Sequence, residues 1–122
     1  MKNYVQKGET LTLTAPYAVS SGGGALVGSI FGVASNDYAN GEEGEFQVVG
    51  VFDLVRETGA GTGFSQGALV YWDDTNKRIT KTSTGNKLIG VAVKAASDGD
   101  ATARVRLNGA FTADVAVVAG GD

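Results

Sequence analysis

The sequence predicts an all-β fold, a compact sandwich or barrel, and three observations carry that prediction. Apolar and polar residues alternate with a period of two through several short segments, which puts one strand face on a core and the other in water. Between those segments stand clusters of Asp, Asn, Ser and Gly, the chemistry of hairpin turns. Glycine is abundant at 19 residues and proline is a single residue, so the chain turns often. No segment shows convincing helical spacing.

Taken in order, Thr10-Leu11-Thr12-Leu13-Thr14 is the first alternating segment. Ala68-Leu69-Val70-Tyr71-Trp72 and Leu88-Ile89-Gly90-Val91-Ala92-Val93 are continuous apolar runs and predict strands covered on both faces. Ile79-Thr80-Lys81-Thr82 alternates again, and Arg104-Val105-Arg106-Leu107 does so with charges on its outer face. Asp73-Asp74-Thr75-Asn76 and Ser97-Asp98-Gly99-Asp100 predict hairpin turns, and Asn40-Gly41 sits in a longer connection over residues 36–44. The alanine- and valine-rich residues 113–119 suit helix or strand equally.

Laid on itself, the chain repeats. Gly8, Leu11 and Leu13 fall on Gly67, Val70 and Trp72 at an offset of 59. Ile30-Phe31-Gly32-Val33-Ala34 falls on Leu88-Ile89-Gly90-Val91-Ala92 at 58, and Phe46, Val48, Gly50 and Phe52 fall on Val105, Leu107, Gly109 and Phe111 at 59. Order, spacing and face agree across three segments. The expectation is one domain, residues 1–122, holding an internal duplication of a strand-plus-hairpin unit over residues 8–52 and 67–111, with 57–66 as a glycine-rich linker.

Composition narrows the function. A chain of 122 residues with 43% apolar residues builds one real core and not two. It has no cysteine and no histidine. Disulfides and thiolate metal sites are excluded, and so are the usual general base at neutral pH and every Ser-His or Cys-His pair. An enzyme would have to run on carboxylates, lysine or tyrosine. The formal net charge is −3, and the nearest basic group, Lys77, Arg78 and Lys81, stands beside Asp73 and Asp74, so no nucleic-acid footprint is expected. No apolar run has the length of a bilayer span, and the opening residues hold no signal-peptide stretch. The expectation is a soluble protein with no membrane partner.

Individual motifs give little chemistry. Gly59-Ala60-Gly61-Thr62-Gly63 leads into a strand and lacks the lysine and hydroxyl of a phosphate loop, so it reads as a flexible link. Asp37, Glu42, Glu43 and Glu45 form the densest acidic cluster, which without the ligand spacing of an EF-hand reads as a solvated loop. Asp73 and Asp74 are neighbours in a turn, a poor arrangement for an acid–base pair. No cofactor or metal site is expected. Tyr71 and Trp72 form the largest aromatic pair, expected as core for one ring and a subunit or edge contact for the other. Asn3, Tyr4 and Val5 precede the first strand with apolar groups that suit either an arm docked on a neighbour or an edge strand of the chain's own sheet.

Residues 3–16, Asn3-Tyr4-Val5-Gln6-Lys7-Gly8-Glu9-Thr10-Leu11-Thr12-Leu13-Thr14-Ala15-Pro16, resemble the opening of a family of small tailed-phage head proteins. Gly28-Ser29-Ile30-Phe31-Gly32-Val33-Ala34 and Gly50-Val51-Phe52-Asp53-Leu54 resemble the rest of its first half. Gly67-Ala68-Leu69-Val70-Tyr71-Trp72-Asp73, Leu88-Ile89-Gly90-Val91-Ala92 and Val105-Arg106-Leu107-Asn108-Gly109 resemble its second. The family was formerly a domain of unknown function, and some members carry a RecA/RadA-like recombinase label that the missing phosphate loop argues against. The resemblance implies capsid cement, or head decoration: a non-enzymatic protein with a compact β-barrel or jelly-roll-like sandwich fold, bound to the outside of a shell of HK97-type major capsid protein and stabilising it against packaged DNA. It implies the major capsid protein and other copies of itself as partners, a dimer favoured over a trimer, and a location on the virion after synthesis in the host cytoplasm. Residues 112–122 have no counterpart in the family. The competing reading is a carbohydrate- or ligand-binding β-sandwich on a phage or cell surface, using Tyr71 or Trp72 as a platform and the glutamate loop for calcium.

Overall fold

The computed structural model describes residue 3, residues 8–109 and residue 112. Among the described residues the chain forms strands and turns and no helix: β1 (Thr10–Thr14), β2 (Gly24–Val27), β3 (Ile30–Ala34), β4 (Glu43–Gln47), β5 (Val49–Val55), β6 (Leu69–Asp73), β7 (Arg78–Thr80), β8 (Lys87–Ala92) and β9 (Thr102–Asn108). The strand-period segments of the sequence become strands in whole or in part: Ile79-Thr80-Lys81-Thr82 is strand only to Thr80, and Ile79 and Thr80 are both buried. They form two antiparallel sheets, β1-β4-β3-β2 and β5-β9-β8-β6-β7, the all-β architecture expected.

The second sheet curls until its edges meet. Arg56, just past β5, bridges Ile79 of β7 in parallel, and the Glu57 N–H donates to the Ile79 carbonyl at 2.9 Å. The Thr80 hydroxyl adds a bond to the Glu57 carboxylate at 2.7 Å. Curling two edges together leaves less unpaired backbone for other chains. The main core fills the hollow: Leu54, Phe64, Val70, Trp72, Ile79, Ile89, Ala92, Ala103, Val105 and Leu107 are all buried there. Phe31 and Val33 of β3 enter the same core from the first sheet, so the two sheets share one apolar interior. A second cluster, Ala15, Val19, Ala25, Ala34 and Phe46, lies on the other face of the first sheet, with Leu13, Tyr17 and Tyr38 packed on it.

The hydrogen bonds repeat between the sheets. Gly22 N–H donates to the Ala34 carbonyl and Ala34 N–H to Gly23; Gly67 N–H donates to Ala92 and Ala92 N–H to Ala68. Val19 and Tyr38 exchange a bridge, as do Phe64 and Ala96. Ser35 N–H reaches the Glu45 carbonyl and Val93 N–H the Arg104 carbonyl, both at 3.0 Å. Even the turns match: Glu42 accepts from the Ala39 N–H and Asp100 from the Ser97 N–H, each three residues back. These correspondences align β2 with β6, β3 with β8, and β4 with β9. They also align β1 with β5, because Ala15 N–H bonds to Glu42 as Arg56 N–H bonds to Ala101.

The repeating pattern therefore spans residues 10–47 and 49–108, with β7 added to the second. The expected superposition of Gly8, Leu11 and Leu13 on Gly67, Val70 and Trp72 has no counterpart in pairing: β1 bonds to β4, whereas β6 bonds to β8 and β7. Both strands begin two residues after a glycine and carry large apolar residues at the same spacing, and that likeness produces the alignment.

Residues 57–66 are a tied segment rather than a flexible linker. Phe64 is buried in the main core, and backbone bonds run from Gly59 N–H to Asp98 at 3.0 Å and between Phe64 and Ala96 at 2.9 Å. The strand of Ala68 to Trp72 is covered on both faces only from Val70 onward, since Leu69 is 47% exposed.

Two glycines are set by close approach. A Cβ on Gly90 would lie 2.1 Å from the Arg106 carbonyl oxygen, so β8 and β9 meet only because that atom is missing. A Cβ on Gly24 would lie 2.6 Å from the Phe31 ring and 2.9 Å from the Trp72 ring. Gly99, by contrast, faces open space. Gly90→Ala is expected to destabilise the protein by about 1–3 kcal/mol in urea denaturation, and Gly99→Ala to stay within about 0.5 kcal/mol.

Candidate interaction surface

Trp72 and Tyr71 are placed inside the chain, not on it. Trp72 is 3% and Tyr71 5% exposed. The indole packs on Phe31 with ring centroids 4.9 Å apart. Its N–H donates to an Asp74 carboxylate oxygen at 3.0 Å, which also accepts from the Tyr17 hydroxyl at 3.2 Å. Burial first, and then the Asp74 charge, push the Tyr17 hydroxyl up to about 12. Lys77 lies over the Tyr17 ring and 3.6 Å from Asp74. The group ties the loop after β1 to the β6–β7 turn. Neither Tyr71 nor Trp72 offers an exposed face for stacking a sugar or for a contact between subunits, which corrects the expectation that one of them does. Asn3 is exposed; Tyr4 and Val5 lie outside the described residues.

The turn carboxylates are engaged by backbone. Asp73 accepts from the N–H groups of Thr75 and Asn76 and from the Asn76 side-chain amide at 2.8 Å. These bonds, the Asn76 amide first, hold its carboxyl below the usual range. The left-handed residue of this turn is Lys77, at φ 56°, rather than one of the four residues before it. The acidic cluster is also divided: Asp37 accepts from Ser21 N–H, Glu42 from Ala39 N–H and Glu45 from the Thr12 hydroxyl. Among the described residues no three carboxylates converge on a point that could hold a metal ion.

The polar centre that sequence reading misses is Arg56, which is 3% exposed. Its guanidinium donates to the carbonyls of Ser97, Asp98, Asp100 and Thr62 at 2.6–3.2 Å, and to the Thr62 hydroxyl at 3.0 Å. Beside it the Asp98 carboxylate accepts from the Gly61 and Gly63 N–H groups at 3.1 and 2.8 Å. Arg56 thereby replaces a solvated end to β5 with a clamp on the β8–β9 turn and on residues 59–63. The available signal is its phase: Phe52, Leu54 and Arg56 share the inward side of an alternating strand.

Two surface ribbons remain, and they are structural equivalents. On the first, Thr10, Thr12 and Thr14 of β1 lie opposite Gln47, Glu45 and Glu43 of β4. On the second, Val51, Asp53 and Val55 of β5 lie opposite Arg106, Arg104 and Thr102 of β9. Val51 and Val55 are 52% and 63% exposed, and with Leu69 they are the large apolar residues most open to water among the described residues. Arg104 and Asp53 pair at 3.0 Å, which keeps the Asp53 carboxyl below its usual range. Arg106 faces solvent, and the structure shows no ion pair for it among the described residues. Next to this ribbon, Asp53, Lys94, Asp100 and Arg104 line an open pocket of about 290 Å³.

The hydrogen bonds from Gly61, then Gly63, hold the Asp98 carboxyl below the usual range. Its stabilising contribution is therefore full above the ordinary carboxylate pKa of about 4 and lost as the pH falls through and below it. Asp98→Asn is expected to flatten the loss of melting temperature between pH 6 and 3. Arg56→Lys, which cannot fork to several carbonyls, is expected to cost about 1–3 kcal/mol in chemical denaturation.

Compared with known proteins, a family model described as phage cement protein matches residues 5–107. No curated protein and no solved structure matches the chain.

Proposed function

Because the chain belongs to the phage cement protein family, we propose that it binds the outer surface of a capsid built from an HK97-type major capsid protein and stabilises the shell against packaged DNA. Membership in the family gives a structural role at the phage capsid, and that match, over 103 of the chain's 122 residues, carries the proposal. The protein acts without catalysis on this reading: it has no histidine or cysteine, and its turn carboxylates are engaged with backbone N–H groups. It is made in the host cytoplasm and ends on the head exterior.

The architecture suits a load-bearing clip. A single apolar interior shared by both sheets and a curled sheet resist shear better than two loosely joined halves. The described surface offers broad strand faces on β1–β4 and β5–β9, as a binder of a broad, repeated lattice requires. Repetition over a closed shell lets each contact be modest, since a copy engaging several sites gains effective concentration that free subunits cannot supply.

Co-sedimentation tests this. Purified protein is expected to bind expanded shells of its own phage saturably, and to bind unassembled capsid subunits about 10²-fold more weakly or worse. Equal affinity for subunits and shells, or no decoration of shells, overturns the proposal.

A further inference from the structure

The repeating pattern is electrically lopsided. Residues 10–47 hold four carboxylates, Asp37, Glu42, Glu43 and Glu45, and no lysine or arginine. Residues 49–108 hold eight lysines and arginines against six carboxylates. One half of the molecule is thus net negative by four and the other net positive by two. The difference is sharpest at equivalent positions of the ribbons: Glu45 on β4 stands where Arg104 stands on β9, and Gln47 where Arg106 stands.

We propose that copies of this chain associate through these ribbons, the acidic β1–β4 face of one copy docking on the Val51, Arg106 and Val55 face of β5–β9 of another. Asp53 and Arg104 neutralise one another, which leaves Arg106 as the positive charge of that ribbon with no ion pair among the described residues. Glu43 and Glu45 supply the matching charge. The exposed valines supply apolar area, against which the methyl groups of Thr10, Thr12 and Thr14 pack. Opposite charges set the orientation and reject like against like, since two acidic ribbons face to face repel and two arginine ribbons gain no partner. Because each copy carries both faces, one kind of contact suffices to link successive copies, into a ring where the rotation closes.

The contact is separate from the shell-binding reading and is tested without shells. Light scattering or sedimentation of the free protein at low salt is expected to show a concentration-dependent mass above that of one 12.4 kDa chain, falling as salt screens the ribbons. Arg106→Glu and Glu43→Lys are each expected to weaken self-association about tenfold or more. Neither native side chain makes a hydrogen bond or ion pair among the described residues, so melting temperatures should stay near native and report intact folding. Mixing the two variants is expected to restore association between unlike chains, because both unlike contacts then pair a cation with a carboxylate. In one the introduced lysine meets the introduced glutamate, and in the other the retained Glu43 meets the retained Arg106. A native protein that stays monomeric at about 1 mM and low salt overturns the proposal, as does native-strength association of Arg106→Glu or a mixture that fails to recover. Failure of this assay leaves capsid binding standing, and failure of shell decoration leaves this contact standing.

Discussion

The seat of Trp72 is the constraint on which the rest of the structure depends. The indole belongs to the curled sheet, yet its neighbours Gly24 and Phe31 belong to the other one. Its N–H ends on Asp74, the carboxylate that also receives Tyr17 from the loop after β1. One side chain thereby joins two sheets, a turn and a loop. The arrangement works because Gly24 has no Cβ and because a buried indole N–H finds an acceptor, without which its burial would cost about 1–3 kcal/mol. Apolar contact supplies the energy, and the hydrogen bonds fix the angle at which the sheets meet.

Much of this is legible in the sequence, for a simple reason. A strand half in water must alternate, so Thr10–Thr14 and Thr102–Asn108 can be placed from residue type alone, and turns can be placed where Asp, Asn and Gly cluster. Partners are harder, because any amphipathic strand offers the same pattern to several neighbours. That is why the repeat is visible at β3/β8 and β4/β9 while the sequence sets β1 against β6 instead of β5. Residues 57–66 mislead for a related reason: glycine content reports freedom in the unfolded chain, while the bonds from Arg56 and Asp98 that remove it are contributed from elsewhere. Tyr71 and Trp72 stand out in the sequence as unusual, but aromatic size does not distinguish a core anchor from an interface anchor.

The absence of histidine and cysteine is in keeping with the structural role at the phage capsid that the family match gives. Many of the chain's polar interactions hold turns and the β5 end in place, and its outward surfaces include the two strand ribbons. Distributing unlike charges over equivalent ribbons adds direction to that surface without disturbing the core beneath, since the outward residues differ between β4 (Glu45, Gln47) and β9 (Arg104, Arg106) while Phe46 and Val105 beneath them remain buried.

The central claim is that this chain reinforces a phage head, and the retention of DNA by heated heads tests it most directly. Full heads lacking the protein are expected to release their DNA at a lower temperature than native heads, and adding the purified protein back is expected to restore the native release temperature. Release at the same temperature with and without a saturating coat of the protein would contradict the account.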